Sequence, residues 1–477
     1  MAKQNKKPPE SIPELVSALE GLKKGSKFAA FIDSLRLYAF KNVRDSTRID
    51  FDFPVTALVG ANGCGKSSVL QALFGCPKGY SLGKYWFSTT LDPISDENGA
   101  RPSLVYTYAD QAGKLREVVK SRIKWNKKEG ASQNFDYWEP SRPLKKLDMT
   151  LLPDKSRHPT ISMDVVVIDF RYQLSAFDRY FYLEEVDYYN QRKRRNKQDV
   201  IRLRSEKILT ALNPESVTNK THEKVHILSE EECSILSKIL GKRYQGGKIL
   251  HHRFHGFWAH TVIFEVASTI SPHRYTEANA GSGEVAVALL VHKLRQVKNG
   301  SLVLLDEPEY SLHPGAQREV LRYLLDQSLQ KQLQIVFTTH APTMIEGLPL
   351  GAVKVFALDP ATEKFIVHQD RSAEEAFLSI GHRVTNKLAI RVEDRLAKAL
   401  IEEAMKKMCA DERLPHEFPA LVDVVFYPGG VGSMKNDIIR YSREADINVR
   451  QIFDGSERPK ETIELQKLTT EENQPSS

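Results

Sequence analysis

Apolar positions recur along this chain at two periods, and the way they alternate predicts a mixed α/β protein. Ile12, Leu15, Ala18 and Leu22 fall at helical spacing within residues 11–22. Over residues 29–52 apolar and polar positions alternate, with Phe31, Leu35, Leu37 and Phe40, then Ile49, Phe51 and Phe53. That spacing predicts two antiparallel strands joined near Asn42-Val43-Arg44. Residues 55–59 form a short β-branched run, and residues 68–74 return to helical spacing. Strands are predicted at 103–108 and 115–124. Residues 125–159 are polar, carry Pro140, Pro143, Pro153 and Pro159, and read as loops. Residues 161–170 are apolar enough for a buried strand. Residues 177–212 are mostly helical in pattern, 228–240 read as a helix, and 254–268 as a strand. A helix at 285–294 and buried strands at 301–306 and 334–339 follow. The last part repeats strand, helix, strand, strand at 387–394, up to Met408, 422–427 and 449–456.

Chemistry-bearing residues fall at the ends of these elements. Gly60-Ala61-Asn62-Gly63-Cys64-Gly65-Lys66-Ser67 fits the phosphate-loop pattern G-x-x-x-x-G-K-[ST], between a predicted strand and a helix that begins near Ser68. Backbone N–H groups in such a loop face phosphates, and the helix dipole favours the negative charge. Lys66 is expected on the β- and γ-phosphates and Ser67 on Mg²⁺. A glycine-rich turn with a chance lysine is the bland alternative, and the flanking elements argue against it. Downstream come Gly281-Ser282-Gly283-Glu284, then a strand ending in Asp306-Glu307-Pro308-Glu309, then Ser311-Leu312-His313-Pro314, and a strand ending at His340. Asp306 is placed to hold the Mg²⁺ shell. Glu307 can polarise a water in line with the γ-phosphate, and His340 can hydrogen-bond that phosphate. His313 is expected to cap or pack its loop.

In this order the motifs resemble those of ABC-type ATPase heads of the OLD/RecF/SMC-like group, in which a hairpin such as Leu37-Tyr38-Ala39-Phe40-Lys41-Asn42 precedes the loop. The resemblance is nearest to ATPase subunits of antiphage defence, Septu PtuA-like and PARIS AriA-like. It implies an α/β fold: an ABC-type P-loop ATPase head with a mixed sheet, helices on both faces, an antiparallel β subdomain and a helical insertion at about 175–250. The domains expected are an N-terminal extension (1–28), the head (29–380), and a small Toprim-like α/β domain with a polar tail (381–477). The resemblance also implies ATP and Mg²⁺ as cofactors, with Gln173 as a further metal-ligand candidate. Ser282, Gly283 and Glu284 would complete the ATP site of a second copy, so a homo-oligomer is implied, together with a separate nuclease or effector subunit. In the Toprim-like domain Glu393 and Asp454 match metal-binding acids, but Asp454-Gly455-Ser456 lacks the second acid of a D-x-D pair. A degenerate domain with delegated cleavage is therefore expected. An OLD/Gabija-type ATP-gated Toprim nuclease and a RecF-like DNA-repair ATPase remain open alternatives.

Composition narrows this picture little. The 477 residues are 41% hydrophobic and 27% charged, enough for two to four domains with sizeable cores. No run approaches a membrane span, and the basic start lacks an apolar signal core. The four cysteines have no metal-ligand spacing, so a reducing cytoplasm is expected. The net charge of +7 permits nucleic-acid contact. The cluster Arg192-Lys193-Arg194-Arg195, with Lys197, Arg202 and Arg204 and the nearby Tyr180, Tyr182, Tyr188 and Tyr189, reads first as a solvated face and second as a nucleic-acid surface.

Overall fold

The computed structural model describes residues 9–21, 28, 30–94, 100–125, 135–150, 156–170, 174–183, 196–215, 218, 220–268, 273–359, 361–369, 388–411, 413–414, 418–426 and 449–452. The chain divides into two compact units, Met1–Ala376 and Phe377–Ser477.

The first unit opens with helix Ile12–Glu20, closed at its start by a Ser11–Glu14 capping box and packed against helix Pro314–Lys331. Strands β1 (Ile32–Tyr38) and β2 (Thr47–Asp50) form the expected hairpin, and β3 (Val55–Gly60) follows. Every residue of β3 is buried, which explains why its sequence, Val55-Thr56-Ala57-Leu58-Val59-Gly60, is largely apolar rather than alternating. Strands β4 (Ser103–Ala109), β5 (Leu115–Trp125) and β6 (Phe135–Ser141) extend the hairpin into an antiparallel sheet ordered β2-β1-β4-β5-β6. The region read as loops thus contains β6. Its Pro140 is compatible with a strand because β6 is an edge, where a missing N–H costs no ladder bond.

β7 (Val165–Asp169) is the apolar run expected to be buried. It lies instead at the rim of a second sheet, and Val167 is 36% exposed. Next come β8 (His226–Ile227), β9 (Tyr244–His252), β10 (Ala259–Val266) and β11 (His273–Thr276), an antiparallel sheet ordered β11-β10-β9-β8. The insertion is therefore not purely helical: helices Lys197–Ala211 and Glu230–Leu240 accompany this sheet. β9 escaped the sequence pattern because Gly246 and Gly247 interrupt it. At Gly247 a Cβ would lie 2.5 Å from the Ile263 carbonyl and 2.7 Å from Leu228 Cδ1, so the close approach requires glycine.

Strands β12 (Leu302–Asp306), β13 (Gln334–Thr339), β14 (Val353–Asp359) and β15 (Lys364–His368) complete the central sheet, ordered β15-β14-β3-β13-β12-β7. All but the β14–β15 pair are parallel. The main core lies between this sheet and the hairpin sheet, with Leu35, Leu37 and Phe51 meeting Val69 and Leu73 of helix Lys66–Phe74 and Leu304 and Val336 of the central strands. The buried Gln334 amide joins the two sheets. Its Oε1 accepts from Ile32 N at 2.9 Å, and its Nε2 donates to Ile32 O at 2.8 Å. Buried Lys120 of β5 donates to the carbonyls of Gly75, Pro77 and Tyr80 at 2.5–3.1 Å, a cation at the carboxyl end of helix Lys66–Phe74.

In the second unit β16 (Leu388–Val392) is central, with β17 (Val422–Phe426) and β18 (Val449–Ile452) parallel on either side. Helix Arg395–Ala410 packs Met405 onto Val392, Val422 and Val424, and Asp394 Oδ1 caps it by accepting from Ala397 N at 2.7 Å.

Candidate active site

β3 leads directly into the phosphate loop. Gly60 is fixed by space, since a Cβ there would lie 2.8 Å from both Cys64 Sγ and Phe356 Cβ. Gly63 and Gly65 have φ of +77° and +97°, the left-handed region that turns the chain into helix Lys66–Phe74. That helix has no side-chain cap and no acid in its first turn. Its first-turn N–H groups and dipole, with Lys66 beside them, therefore carry positive potential that no capping side chain offsets, which fits an anion. Lys66 is 5% exposed, and its Nζ donates to Gly60 O (2.9 Å) and Ala61 O (3.0 Å). Ala61 and Asn62 are exposed, while Cys64 is buried, and burial pushes its thiol pKa up against the pull of Lys66. Ser68 Oγ accepts from Lys41 Nζ at 2.9 Å, tying the helix to the hairpin turn.

The register of the central sheet brings the remaining groups to the same end. Thr339 pairs with Val59, Leu305 with Phe337 and Asp306 with Asp169, so the carboxyl ends of four parallel strands lie side by side. Ser67 Oγ donates to Asp306 Oδ1 at 3.0 Å, and Thr338 Oγ1 donates to the same oxygen at 2.5 Å. Thr338 Oγ1 in turn accepts from Glu307 N at 2.9 Å. Glu307 takes a φ of +50°, a strained value for a glutamate, and its carboxylate lies 3.9 Å from His340 Nε2. Glu309 is half-buried, and its desolvation raises its pKa. Its Oε1 accepts from Thr339 Oγ1 (2.8 Å) and His340 N (2.7 Å), while Oε2 has no hydrogen-bond partner among the described residues. Spacing along the sequence gives Glu309 and Thr338 no role by itself. The signal for both was present in the third acid of Asp306-Glu307-Pro308-Glu309 and the hydroxyl pair before His340.

Helix Ser282–Gln296 begins on an exposed Gly281-Ser282 edge without a side-chain cap. Gly283 is buried, and a Cβ there would fall onto the Ser311 carbonyl and 2.9 Å from Leu312 Cδ2. Glycine thus seats the helix against the loop that follows β12. Glu284, expected with Ser282 and Gly283 on a phosphate, faces inward instead. It accepts from the hydroxyls of Tyr244 and Tyr275, with Lys242 Nζ 3.3 Å away. Burial and the adjacent carboxylate raise the pKa of both tyrosines, so they remain donors. His313 Nδ1 accepts from Ala316 N at 3.3 Å, capping the next helix as expected.

Ser67 and Asp306 present a hydroxyl and a carboxylate oxygen already in mutual contact, with Glu307 next in the chain. This hard oxygen set fits Mg²⁺. Gln173 and Asp454 lie outside the described residues, as do Arg192 to Arg195, Tyr188 and Tyr189. Glu393 follows β16 in the second unit and is half-buried. Three described residues of that basic cluster are engaged locally: Lys197 with Phe181 O, Arg202 with Asp199, and Arg204 with His255 and the Tyr180 ring.

A phosphate-loop strand separated by one parallel strand from a strand ending in paired acids, with hydroxyl, carboxylate and uncapped helix start converging, defines a P-loop ATPase of mixed α/β architecture. The chain belongs to the family described as "AAA domain, putative AbiEii toxin, Type IV TA system", which matches residues 55–346. It is 50% identical over 40 residues to the chromosome partition protein Smc of Halobacteriovorax marinus, a match spanning 8% of this chain and 3% of that protein. Among solved structures it is similar to the SMC head domain from Thermotoga maritima (15% identity, 72% of this chain and 99% of that one, TM-score 0.36). A second is the SmcHead bound to the C-winged helix domain of ScpA (15% identity, 71% and 98%, TM-score 0.38). Among the described residues no helix is long and apolar enough to cross a membrane.

Proposed function

We propose that this chain binds and hydrolyses ATP as an ABC-type subunit of an antiphage defence complex, joining to a second copy through shared nucleotide and controlling a separate nuclease or effector. The observation that carries the ATPase part is the chain of contacts from Ser67 through Asp306 and Thr338 to Glu307, because it unites hydroxyl, carboxylate and candidate base at one strand edge. In this reading Lys66 exchanges the Gly60 and Ala61 carbonyls for phosphate oxygens, and the N–H groups from Gly63 to Ser67 cradle them. Ser67 and Asp306 would hold Mg²⁺, which supplies charge neutralisation on the phosphates when bound. Glu307 orients and deprotonates the attacking water, and His340, fixed through its backbone by Glu309, donates to the γ-phosphate.

Sharing of nucleotide between copies is supported by the second uncapped helix start. Gly281 and Ser282 present exposed N–H groups and a hydroxyl with no acid before Glu284, and Glu284 is turned inward. The link to antiphage defence rests on the motif resemblance, and the degenerate acid pair after β18 is the reason cleavage is assigned to a partner.

Glu307→Gln should bind ATP normally while turnover falls by about 10²–10³-fold. With ATP it should elute as a dimer or larger on size-exclusion chromatography. Unchanged turnover would remove Glu307 from the base role, and a monomer under saturating ATP would remove the shared site. A second reading, a built-in metal nuclease, draws on the parallel β17-β16-β18 sheet with Glu393 at the end of its central strand. Mg²⁺- or Mn²⁺-dependent nicking of DNA that Glu393→Ala abolishes would favour it.

A further inference from the structure

Three elements of the insertion and head meet at a cluster of nitrogen and oxygen donors far from the phosphate loop in sequence. His226 lies in the short β8, Glu232 in the first turn of helix Glu230–Leu240, and His292 in the third turn of helix Ser282–Gln296. One donor atom from each lies within 4.8 Å of the others. His226 Nε2 is 2.9 and 3.1 Å from the two Glu232 oxygens, and the His226 and His292 ring centroids are 4.4 Å apart.

We propose that His226, Glu232 and His292 form a binding site for a divalent transition metal of Zn²⁺ type, which pins helix Ser282–Gln296 to the insertion.

Four observations carry this. First, Glu232 is 1% exposed and held in place, since Oε2 accepts from Ser229 N at 2.8 Å. Such an outer hydrogen bond orients a ligating carboxylate. Second, His292 Nδ1 is buried with no hydrogen-bond partner among the described residues, while Nε2 is 3.0 Å from the Gln296 amide. Turning that amide lets its oxygen accept from Nε2–H and leaves Nδ1 a bare lone pair, the state a metal ligand needs. Third, two imidazoles and a carboxylate match zinc and its neighbours rather than Mg²⁺ or Ca²⁺, which prefer oxygen alone. Fourth, His226 and His292 line a cavity of about 590 Å³ that also carries His251 and His260, giving room for water in a fourth position.

Three cations stand near. Arg295 pairs with Glu231 at 2.6 Å and more distantly with Glu232 Oε1 at 4.0 Å, and Lys224 and Lys293 lie on the cavity wall.

The test uses the full chain, stripped with chelator and titrated with Zn²⁺ against a chromophoric chelator of micromolar affinity. One equivalent per chain should be taken up, unaffected by a thousandfold excess of Mg²⁺, and should raise the Tm by several degrees. Co²⁺ in its place should give the visible bands of a four-coordinate nitrogen–oxygen site. His292→Ala and His226→Gln should each lower the affinity by at least about 100-fold. His226 is 37% exposed, so His226→Gln is the variant expected to fold with an unchanged metal-free Tm. No uptake by the parent chain, or full uptake retained in His226→Gln, would overturn the site.

Discussion

At the scale of single residues, the parts of the site that sequence revealed are those whose chemistry is fixed by spacing. Lys66 and Ser67 open the helix after β3, and Asp306 and Glu307 lie at the end of β12, so the apolar runs of those two strands give them away. Glu284 was not legible in the same way. Its inward turn depends on Tyr244, forty positions upstream, and Tyr275, nine upstream, and no local pattern announces either contact. Glu309 is the residue whose importance emerges only in three dimensions. One carboxylate oxygen holds both the Thr339 hydroxyl and the His340 N–H, and so sets where the histidine side chain starts. Glu309→Ala should leave ATP affinity within about twofold and lower kcat by about tenfold, measured by steady-state ATPase assay, because only the catalytic arrangement loses its support. Glu309→Gln keeps an acceptor at the same point and should retain most of the rate.

At the scale of elements, β3, β12 and β13 of the central sheet could be read from sequence because they are covered on both faces and largely apolar, whereas β14 and β15 were missed. Two of the missed strands carry residues that blur a strand pattern, Pro140 in β6 and Gly246-Gly247 in β9, each tolerated for a reason visible only once neighbours are known. The apolar content of β7 correctly marked a strand but not its place at the rim, which depends on topology. The start of helix Ser282–Gln296 is the element most exposed to a small change. Gly283→Ala would force a methyl group onto the Ser311 carbonyl and push the helix off the Ser311-Leu312 loop. In a Glu307→Gln background this change should abolish ATP-dependent dimers on size-exclusion chromatography. Binding of a fluorescent ATP analogue to the single chain should stay within about threefold, since the phosphate loop is untouched.

At the scale of the whole molecule, stability should carry the imprint of a buried acid in the short turn between β11 and helix Ser282–Gln296. Burial pushes the Glu277 carboxyl up to about 7, against hydrogen bonds from Thr261 and from Val262 N at 3.0 Å. Between its ordinary value near 4.5 and 7 the folded chain keeps a proton that the unfolded chain has released. The stability from this group is full below about pH 4.5 and is lost as pH rises through 7. Relative to Glu277→Gln, the parent should lose about 2 kcal/mol between pH 5 and pH 8 in urea melts. The Gln334 amide has a different consequence. It fastens to Ile32 across 302 positions, and both sheet partners of β3 likewise arrive late in the chain. During synthesis at roughly 5–20 residues per second, β3 leaves the ribosome tens of seconds before either neighbour exists. For that interval a largely apolar strand has both edges open, so the nascent chain is a natural client for a holdase, and slowing translation before residue 334 should raise the misfolded yield.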